Sequence, residues 1–377
     1  MHMKDFREMY LLKILEEFDL SSLPLDVFLS KFFRAHKSIG SKDRSFICET
    51  LYSLIRWKGL LDHLCDKPLT WKKRFDALQA HDLKKIIHDE SIPAHIRVSF
   101  PKAFFESISK PFGQEKAIDF CLTSNLAAPT TVRINPIKTS RENLLAKWQP
   151  LYPVEPCIHS KHGISFKKRV NFFELSEFKE GLFEVQDEGS QLVAAHVHAK
   201  PGQHVLDFCA GSGGKTLAFA HRMHASGQIY LYDIRPHALL QAKKRLKRAG
   251  IQNVQLLDKE KLKKRGLLQR MDWILLDVPC SGTGTLRRNP DMKWRFDKEM
   301  VDRLVAEQRA IFAKALPYLR PGGHIVYATC SVLPEENHQQ LSYFLKEHSL
   351  QLTAPPFFTF PQKDGMDGFF AAVMTRV

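Results

Sequence analysis

Beyond Lys200 the chain alternates short apolar runs with helical stretches, and no other feature restricts its fold as much. The runs fall at 204–208, 228–232, 254–257, 273–276 and 324–328. Strand, turn and helix repeated in this way argue for an α/β domain built on a doubly wound, mostly parallel sheet. In such sheets ligands bind in the crevice at the carboxyl ends of the strands. The residues that follow each run are therefore the first place to look for function.

The run ending at Asp207 leads into Cys209-Ala210-Gly211-Ser212-Gly213-Gly214-Lys215-Thr216, and 217–222 reads as a helix. A glycine-rich turn between a strand and a helix N-terminus lets backbone approach a ligand closely with bare N–H groups facing it. Glycines at 211, 213 and 214 ahead of Lys215 fit neither the P-loop spacing nor Gly-x-Gly-x-x-Gly. The second run is followed by Asp233, 18 positions beyond Lys215, where a carboxylate can accept hydrogen bonds from both hydroxyls of a ribose. Asp258 follows the third run and Asp277 ends the fourth, so acids recur at successive strand ends. Together they point to a ligand carrying a ribose and a base.

Seven cysteines without a Cys-x-x-Cys pair argue against a disulfide framework or a zinc knuckle. Cys48, Cys65, Cys121 and Cys157 read as small hydrophobes. Cys280, in Asp277-Val278-Pro279-Cys280, and Cys330, in Tyr327-Ala328-Thr329-Cys330-Ser331, follow the fourth and fifth runs, 50 residues apart. Adjacent strands would bring both thiols to the mouth of the ligand crevice, where chemistry explains them better than packing does. His221, His224 and His237 have no partners at metal-ligand spacing, and no metal is expected.

The preceding segments differ in texture. Residues 1–125 read as helices: Phe6, Tyr10, Leu11 and Ile14 share a face, as do Leu25, Phe28, Leu29, Phe32 and Phe33 after Ser22 and Pro24. A third helix opens near Ser41 and carries Phe46, Leu51, Tyr52 and Ile55. Residues 126–195 are punctuated by proline between β-prone pieces and read as a small bridging α+β module, which leaves 196–377 for the sheet domain. A net charge of +15, spread along the chain, fits a polyanionic partner. No run approaches the roughly 18 apolar residues of a membrane span and the N-terminus is too polar for a signal peptide, so a cytoplasmic protein is expected.

The quoted motifs resemble those of the RsmB/Nop/Sun family of RNA cytosine-5 methyltransferases. The likeness runs through 183–191 (FEVQDEGSQ), 205–216 (VLDFCAGSGGKT), 277–294 (DVPCSGTGTLRRNPDMKW), 327–337 (YATCSVLPEEN) and Asp367-Gly368-Phe369-Phe370. Gly211-Ser212 departs from the family's usual Ala-Pro but leaves Gly213, Gly214 and Lys215 in place. The helical segment is more loosely similar to the NusB-like RNA-binding domain of the RsmB branch, through Ser41-Lys42-Asp43-Arg44 and Arg56-Trp57, and is shorter. Arg133-Ile134-Asn135-Pro136 resembles the opening of the family's RNA-recognition-like extension.

The resemblance implies a class I methyltransferase fold and S-adenosyl-L-methionine as cofactor, held by 209–215, Asp233, Asp258 and Asp277. It implies RNA as substrate, ribosomal by likeness to the RsmB branch, with tRNA as the alternative. Cytosine carbon 5 is a poor nucleophile until a thiolate adds at carbon 6, a task suited to cysteine. The residues alone allow either thiol to attack; the resemblance assigns attack to Cys330, release to Cys280, and hydrogen bonding of the ring nitrogen and amine to Asp277. Arg133, Asn135, Arg287, Arg288, Lys293 and Trp294 are the candidate RNA ligands, against a charged loop with one anchoring tryptophan. Lys243, Lys244, Arg245, Lys247, Arg248 and 261–265 read as solvated basic faces. A monomer is the default. Competing readings are an exocyclic-amine methyltransferase, which would need an Asp/Asn-Pro-Pro-aromatic motif after the fourth strand, a non-catalytic RNA-binding or assembly factor, and, more distantly, a dehydrogenase.

Overall fold

The computed structural model describes residues 3–168, 170–264 and 266–377. Arg265, part of the basic run at 261–265, lies outside them. The chain divides into two compact units, 1–127 with 285–298, and 128–284 with 299–377. The segment 285–298, expected with the sheet domain, is thus built into the helical unit.

That unit is formed by α1 (Met3–Asp19), α2 (Leu25–Ala35), α3 (Ser41–Leu64), α4 (Trp71–Ala80), α5 (Lys102–Phe112) and α6 (Gln114–Ser124), with two shorter turns of helix. Leu11, Ile14, Leu25, Leu29, Phe32, Leu51 and Ile55 form its core, as the three- and four-residue spacing requires. Phe46, expected on the same face, is 38% exposed with the Arg7 guanidinium 5.0 Å from its ring centre. Pro24 precedes α2 without a side-chain cap, and the Asp291 carboxylate accepts the first helical N–H, that of Leu25, at 3.4 Å.

The inserted segment buries Lys293 in this unit and leaves Trp294 half-buried against its core. Lys293 is 1% exposed; its ammonium donates to the Arg56 carbonyl and to Asn125 Oδ1, both at 2.7 Å, and lies 4.1 Å from the centre of the Phe100 ring. The Trp294 indole donates to the Ile55 carbonyl at 2.7 Å. Arg287 is buried, and its carbonyl accepts from Arg56. Burial pulls the Lys293 ammonium well below the usual lysine range. The expectation that Lys293 and Trp294 meet RNA is therefore corrected: their polar atoms are committed to backbone and side-chain partners inside the unit. Lys293→Ala is expected to cost about 2–3 kcal/mol in urea unfolding. A phosphate ligand would instead lower the salt slope of RNA binding by about 1.

The second unit holds two sheets. In the smaller, β1 (Thr130–Ile134), β2 (Val154–Pro156), β3 (Gly163–Phe166) and β4 (Phe183–Val185) lie in the order β2-β3-β1-β4, all antiparallel. Val132, Ile134, Trp148, Phe166 and Phe183 pack beneath it. The larger sheet has the order β10-β12-β9-β8-β5-β6-β7. Its strands are β5 (His204–Asp207), β6 (Gln228–Tyr232), β7 (Val254–Leu257), β8 (Met271–Asp277), β9 (Leu319–Thr329), β10 (Leu350–Leu352), β11 (Phe357–Thr359) and β12 (Phe369–Arg376), with β11 paired to β12. β5 to β9 are parallel, and β10 to β12 close the sheet antiparallel. Leu206, Ile274, Leu276, Ile325 and Tyr327 face one apolar layer, and Val205, Ile229, Leu231, Leu275 and Val326 the other. Both faces are covered, as a parallel sheet demands. Among the described residues no helix is long and apolar enough to cross a membrane.

Candidate active site

The glycine-rich turn leaves β5 beside β6 and β8, at the centre of the parallel strands. The Ala210 amide donates to the Tyr232 carbonyl at 3.0 Å, and Gly213 to Ala210 at 2.8 Å, which folds the turn over the end of β6. Gly213 sits at φ +77°, where an added Cβ would also lie 3.1 Å from Ala242, so a larger residue is excluded twice. The helix that follows is one turn, Thr216–Phe219, continued as a 3₁₀ turn to Met223.

Two arginines brace this turn. Arg133 is buried and donates to Gln186 and, at 3.0 Å, to the Gly214 carbonyl. Arg245 donates to the Ser212 carbonyl at 2.9 Å and to its hydroxyl at 2.7 Å. Arg245 and Arg248 both pair with the buried Glu184. The Asn135 amide donates to the carbonyls of Gly181 and Ala249. The expectation that Arg133 and Asn135 contact RNA is corrected on these grounds, as is the solvated face assigned to Arg245 and Arg248.

A cavity of about 620 Å³ opens on the turn, lined by Asp207, Cys209, Gly211, Asp233, Asp277 and Pro279 among others. Asp233 accepts from the Gly211 amide at 2.8 Å and from both ends of the Arg235 guanidinium at 3.0 and 3.1 Å. Burial works to raise its carboxyl, but the bonds from Arg235 and Gly211 prevail and hold it below the usual range. Asp258 does not line the cavity; it is 57% exposed and caps the following helix through the Lys261 amide, with Lys261 Nζ at 3.1 Å.

Asp207 accepts from the Thr216 hydroxyl at 2.7 Å on one oxygen, while its other oxygen is buried without a partner. Burial, reinforced by the nearby Asp277, pushes its carboxyl up to about 7. Because the folded state then binds a proton that the unfolded state has released, stability falls as pH rises from about 4 to 7. Asp207→Asn is expected to flatten that fall, measured as urea midpoints across the range. Burial alone would lower the Lys215 ammonium; its 2.5 Å bond to Asp277 and that carboxylate's charge outweigh it and raise it instead.

β8 and β9 are adjacent, with Asp277 opposite Ala328. The loops leaving them bring Cys280 Sγ within 3.4 Å of Cys330 Sγ. The bond to Cys330, then burial, then the charges of Cys330 and Glu336 hold the Cys280 thiol well above its usual value. Behind the loops is a buried polar network that the sequence reading missed. Glu336, fully buried, accepts from the Ser281 amide at 2.9 Å, the Ser281 hydroxyl at 2.5 Å and Gln308 Nε2 at 2.9 Å. Asn337, the next residue, accepts from the Thr329 hydroxyl at 2.6 Å and donates to the Ser331 carbonyl at 2.9 Å. The only signal in the sequence is a pair of acids and an asparagine shortly after Cys330.

A doubly wound sheet closed by antiparallel strands, with a glycine turn after its central strand and an acid at the end of the next, defines the class I S-adenosylmethionine-dependent methyltransferases. The residues present fit that cofactor. The buried, unpartnered oxygen of Asp207 calls for a cationic or donor group, and the turn and Asp233 offer amides and a carboxylate beside it. Residues 194–375 match the family model for 16S rRNA methyltransferase RsmB/F. The chain is 36% identical to ribosomal RNA small subunit methyltransferase B of Enterobacter sp. strain 638, over 85% of this chain and 73% of that protein. It is 29% identical to the protein of the same name from Erwinia tasmaniensis, over 91% and 92%. The crystal structure of PH0851 superposes with a TM-score of 0.81 at 22% identity, over 97% of each chain, a likeness of fold. A methyltransferase homolog from Pyrococcus horikoshii superposes with a TM-score of 0.65 at 25% identity, over 75% of this chain and 97% of that one.

The chain belongs to the RsmB/F family of RNA methyltransferases, and S-adenosylmethionine is its cofactor.

Proposed function

We propose that this protein methylates carbon 5 of a cytosine in small-subunit ribosomal RNA through a covalent adduct on Cys330. The observation that carries the reading is the pair of thiols 3.4 Å apart beyond Asp277-Val278-Pro279, a segment that lines the cofactor cavity. The names of the relatives support the choice of ribosomal RNA. An exocyclic-amine methyltransferase has no use for two thiols and would need a motif that Asp277-Val278-Pro279-Cys280 does not supply.

The cofactor, held by the glycine turn, Asp207 and Asp233, supplies the methyl group as an electrophile. Cys330 adds as a thiolate to carbon 6 of the base, forming a carbon–sulfur bond as the ring's electron pair shifts toward the ring nitrogen, which takes a proton from water. Lys215, whose charge interacts with both Asp277 and Cys330, supplies a cation beside the attacking sulfur. Asp277 and the Pro279 backbone hydrogen-bond the ring nitrogen and exocyclic amine, favouring the electron-rich enamine whose carbon 5 takes the methyl group.

Once the Cys330 sulfur is bonded to carbon, its hydrogen bond and charge no longer hold up the Cys280 thiol. Cys280 can then give its proton to water and, as a thiolate, accept the one from carbon 5. The electron pair left behind restores the carbon 5–carbon 6 double bond as the carbon–sulfur bond breaks, Cys330 leaves as a thiolate and the ring nitrogen returns its proton to water. The target base must be unpaired or flipped for Cys330 to reach carbon 6.

The test is to incubate the protein with methyl-labelled S-adenosylmethionine and deproteinised small-subunit rRNA from cells lacking it, then digest the RNA to nucleosides. Label in 5-methylcytidine is the expected result. Label in another nucleoside refutes the chemistry, and label only in added tRNA refutes the substrate.

A further inference from the structure

Glu336 and Asn337 touch neither the cofactor cavity nor a sulfur, yet each is tied to one cysteine loop. Asn337 bonds the residues on either side of Cys330, taking the Thr329 hydroxyl at 2.6 Å and giving to the Ser331 carbonyl at 2.9 Å. Glu336 takes both polar hydrogens of Ser281, the residue after Cys280. Gln308 donates at once to Glu336 at 2.9 Å and to the Pro279 carbonyl at 3.0 Å, so the residues on both sides of Cys280 are held through one carboxylate. The Tyr327 hydroxyl fixes the pair itself, donating to the Glu336 carbonyl at 2.8 Å. Apart from the exposed Pro279, these residues are buried, so water cannot replace a bond lost among them.

We propose that Glu336 and Asn337 are positioning residues that divide the reaction between them: Asn337 sets Cys330 for attack and Glu336 sets Cys280 for release. Two neighbouring residues on one short turn thereby fix the spacing of the two sulfurs. The inference rests on the covalent reading of the preceding section.

The same labelled rRNA assay, with a denaturing gel for protein–RNA adducts, separates the two roles. Asn337→Ala is expected to lose adduct and product together. Glu336→Ala is expected to form product about 100-fold more slowly, as for a misplaced catalytic group, while adduct rises about tenfold over wild type. Glu336→Gln is expected to restore turnover, because its carbonyl oxygen can accept from the Ser281 amide and Gln308 as the carboxylate does. A merely structural role would lower adduct and product in parallel in both alanine variants, and that result, with cofactor affinity intact, overturns the proposal. Glutamine failing to rescue overturns it too. Should Glu336→Ala not fold, Ser281→Ala removes one arm of the same hold, and absence of excess adduct there overturns the assignment to Glu336. If Cys330→Ala still makes product, the underlying reading falls instead.

Discussion

Replacing Cys330 with alanine is expected to lower formation of 5-methylcytidine by at least ~10⁴-fold, the scale of losing a covalent nucleophile, and to leave no protein–RNA adduct. Cys280→Ala is expected to do the opposite at the gel: attack and transfer proceed once, release stalls, and an adduct accumulates. The two outcomes differ because the thiols differ in surroundings. The bond to Cys330, burial and the charges of Cys330 and Glu336 hold the Cys280 thiol well above its usual value. Cys330 has the Lys215 charge for company. Since the sulfurs are only 3.4 Å apart, geometry alone allows the reverse order, in which the Pro-Cys thiol attacks. Adduct in Cys330→Ala and none in Cys280→Ala would establish that order and sink the assignment made above. Cofactor affinity should be unchanged in both, because neither cysteine lines the cavity.

What the sequence made legible here was local. An apolar run followed by a glycine turn can be read from a short window, and Cys209, Ala210, Gly211, Ser212, Gly214, Lys215, Asp233 and Asp277 do line one cavity; Asp207 lines it too, although it was read only as the end of a strand. Two thiols after successive runs required only that β8 and β9 be neighbours, which they are. Asp258 stays outside that lining for a topological reason. β7 lies two strands from β5 at the sheet edge, and the aspartate there serves its own helix. Arg133, Arg245 and Lys293 misled for another: their partners Gly214, Ser212 and Asn125 are 81, 33 and 168 residues away, beyond any window. A buried lysine and a phosphate-binding lysine look alike until the chain around them is folded. Glu336 fell within a motif of the family likeness but had no role assigned, because a carboxylate near a cysteine reads as surface charge unless the donors around it are known.

Gly284→Ala is expected to be the most damaging substitution that leaves every proposed functional side chain in place. A Cβ there would lie 2.1 Å from the Gly368 carbonyl oxygen, 2.7 Å from its carbon and 2.9 Å from the Cys330 carbonyl oxygen. All three are backbone atoms, so no rotamer change relieves the overlap. The Gly284 amide also donates to the Cys330 carbonyl at 2.9 Å, and Gly368 donates back to Gly284 at 2.8 Å. Moving the chain apart breaks one of these bonds or shifts the Cys330 loop. Overpacking of this kind costs about 1–3 kcal/mol, and a nucleophile displaced by about 1 Å loses about 100-fold in rate. The closing Asp367-Gly368-Phe369-Phe370 thus has a physical role: Gly368, whose own Cβ would lie 2.9 Å from Gly284 Cα, lets the start of β12 pass directly against the Cys280 loop, whose Gly284 amide holds the Cys330 carbonyl. Stopped-flow or single-turnover rates, set beside cofactor affinity, check this. Slow adduct formation with unchanged cofactor binding is expected, because Gly284 and Gly368 lie outside the cavity lining, and wild-type adduct formation would mean that this contact does not hold Cys330 in place.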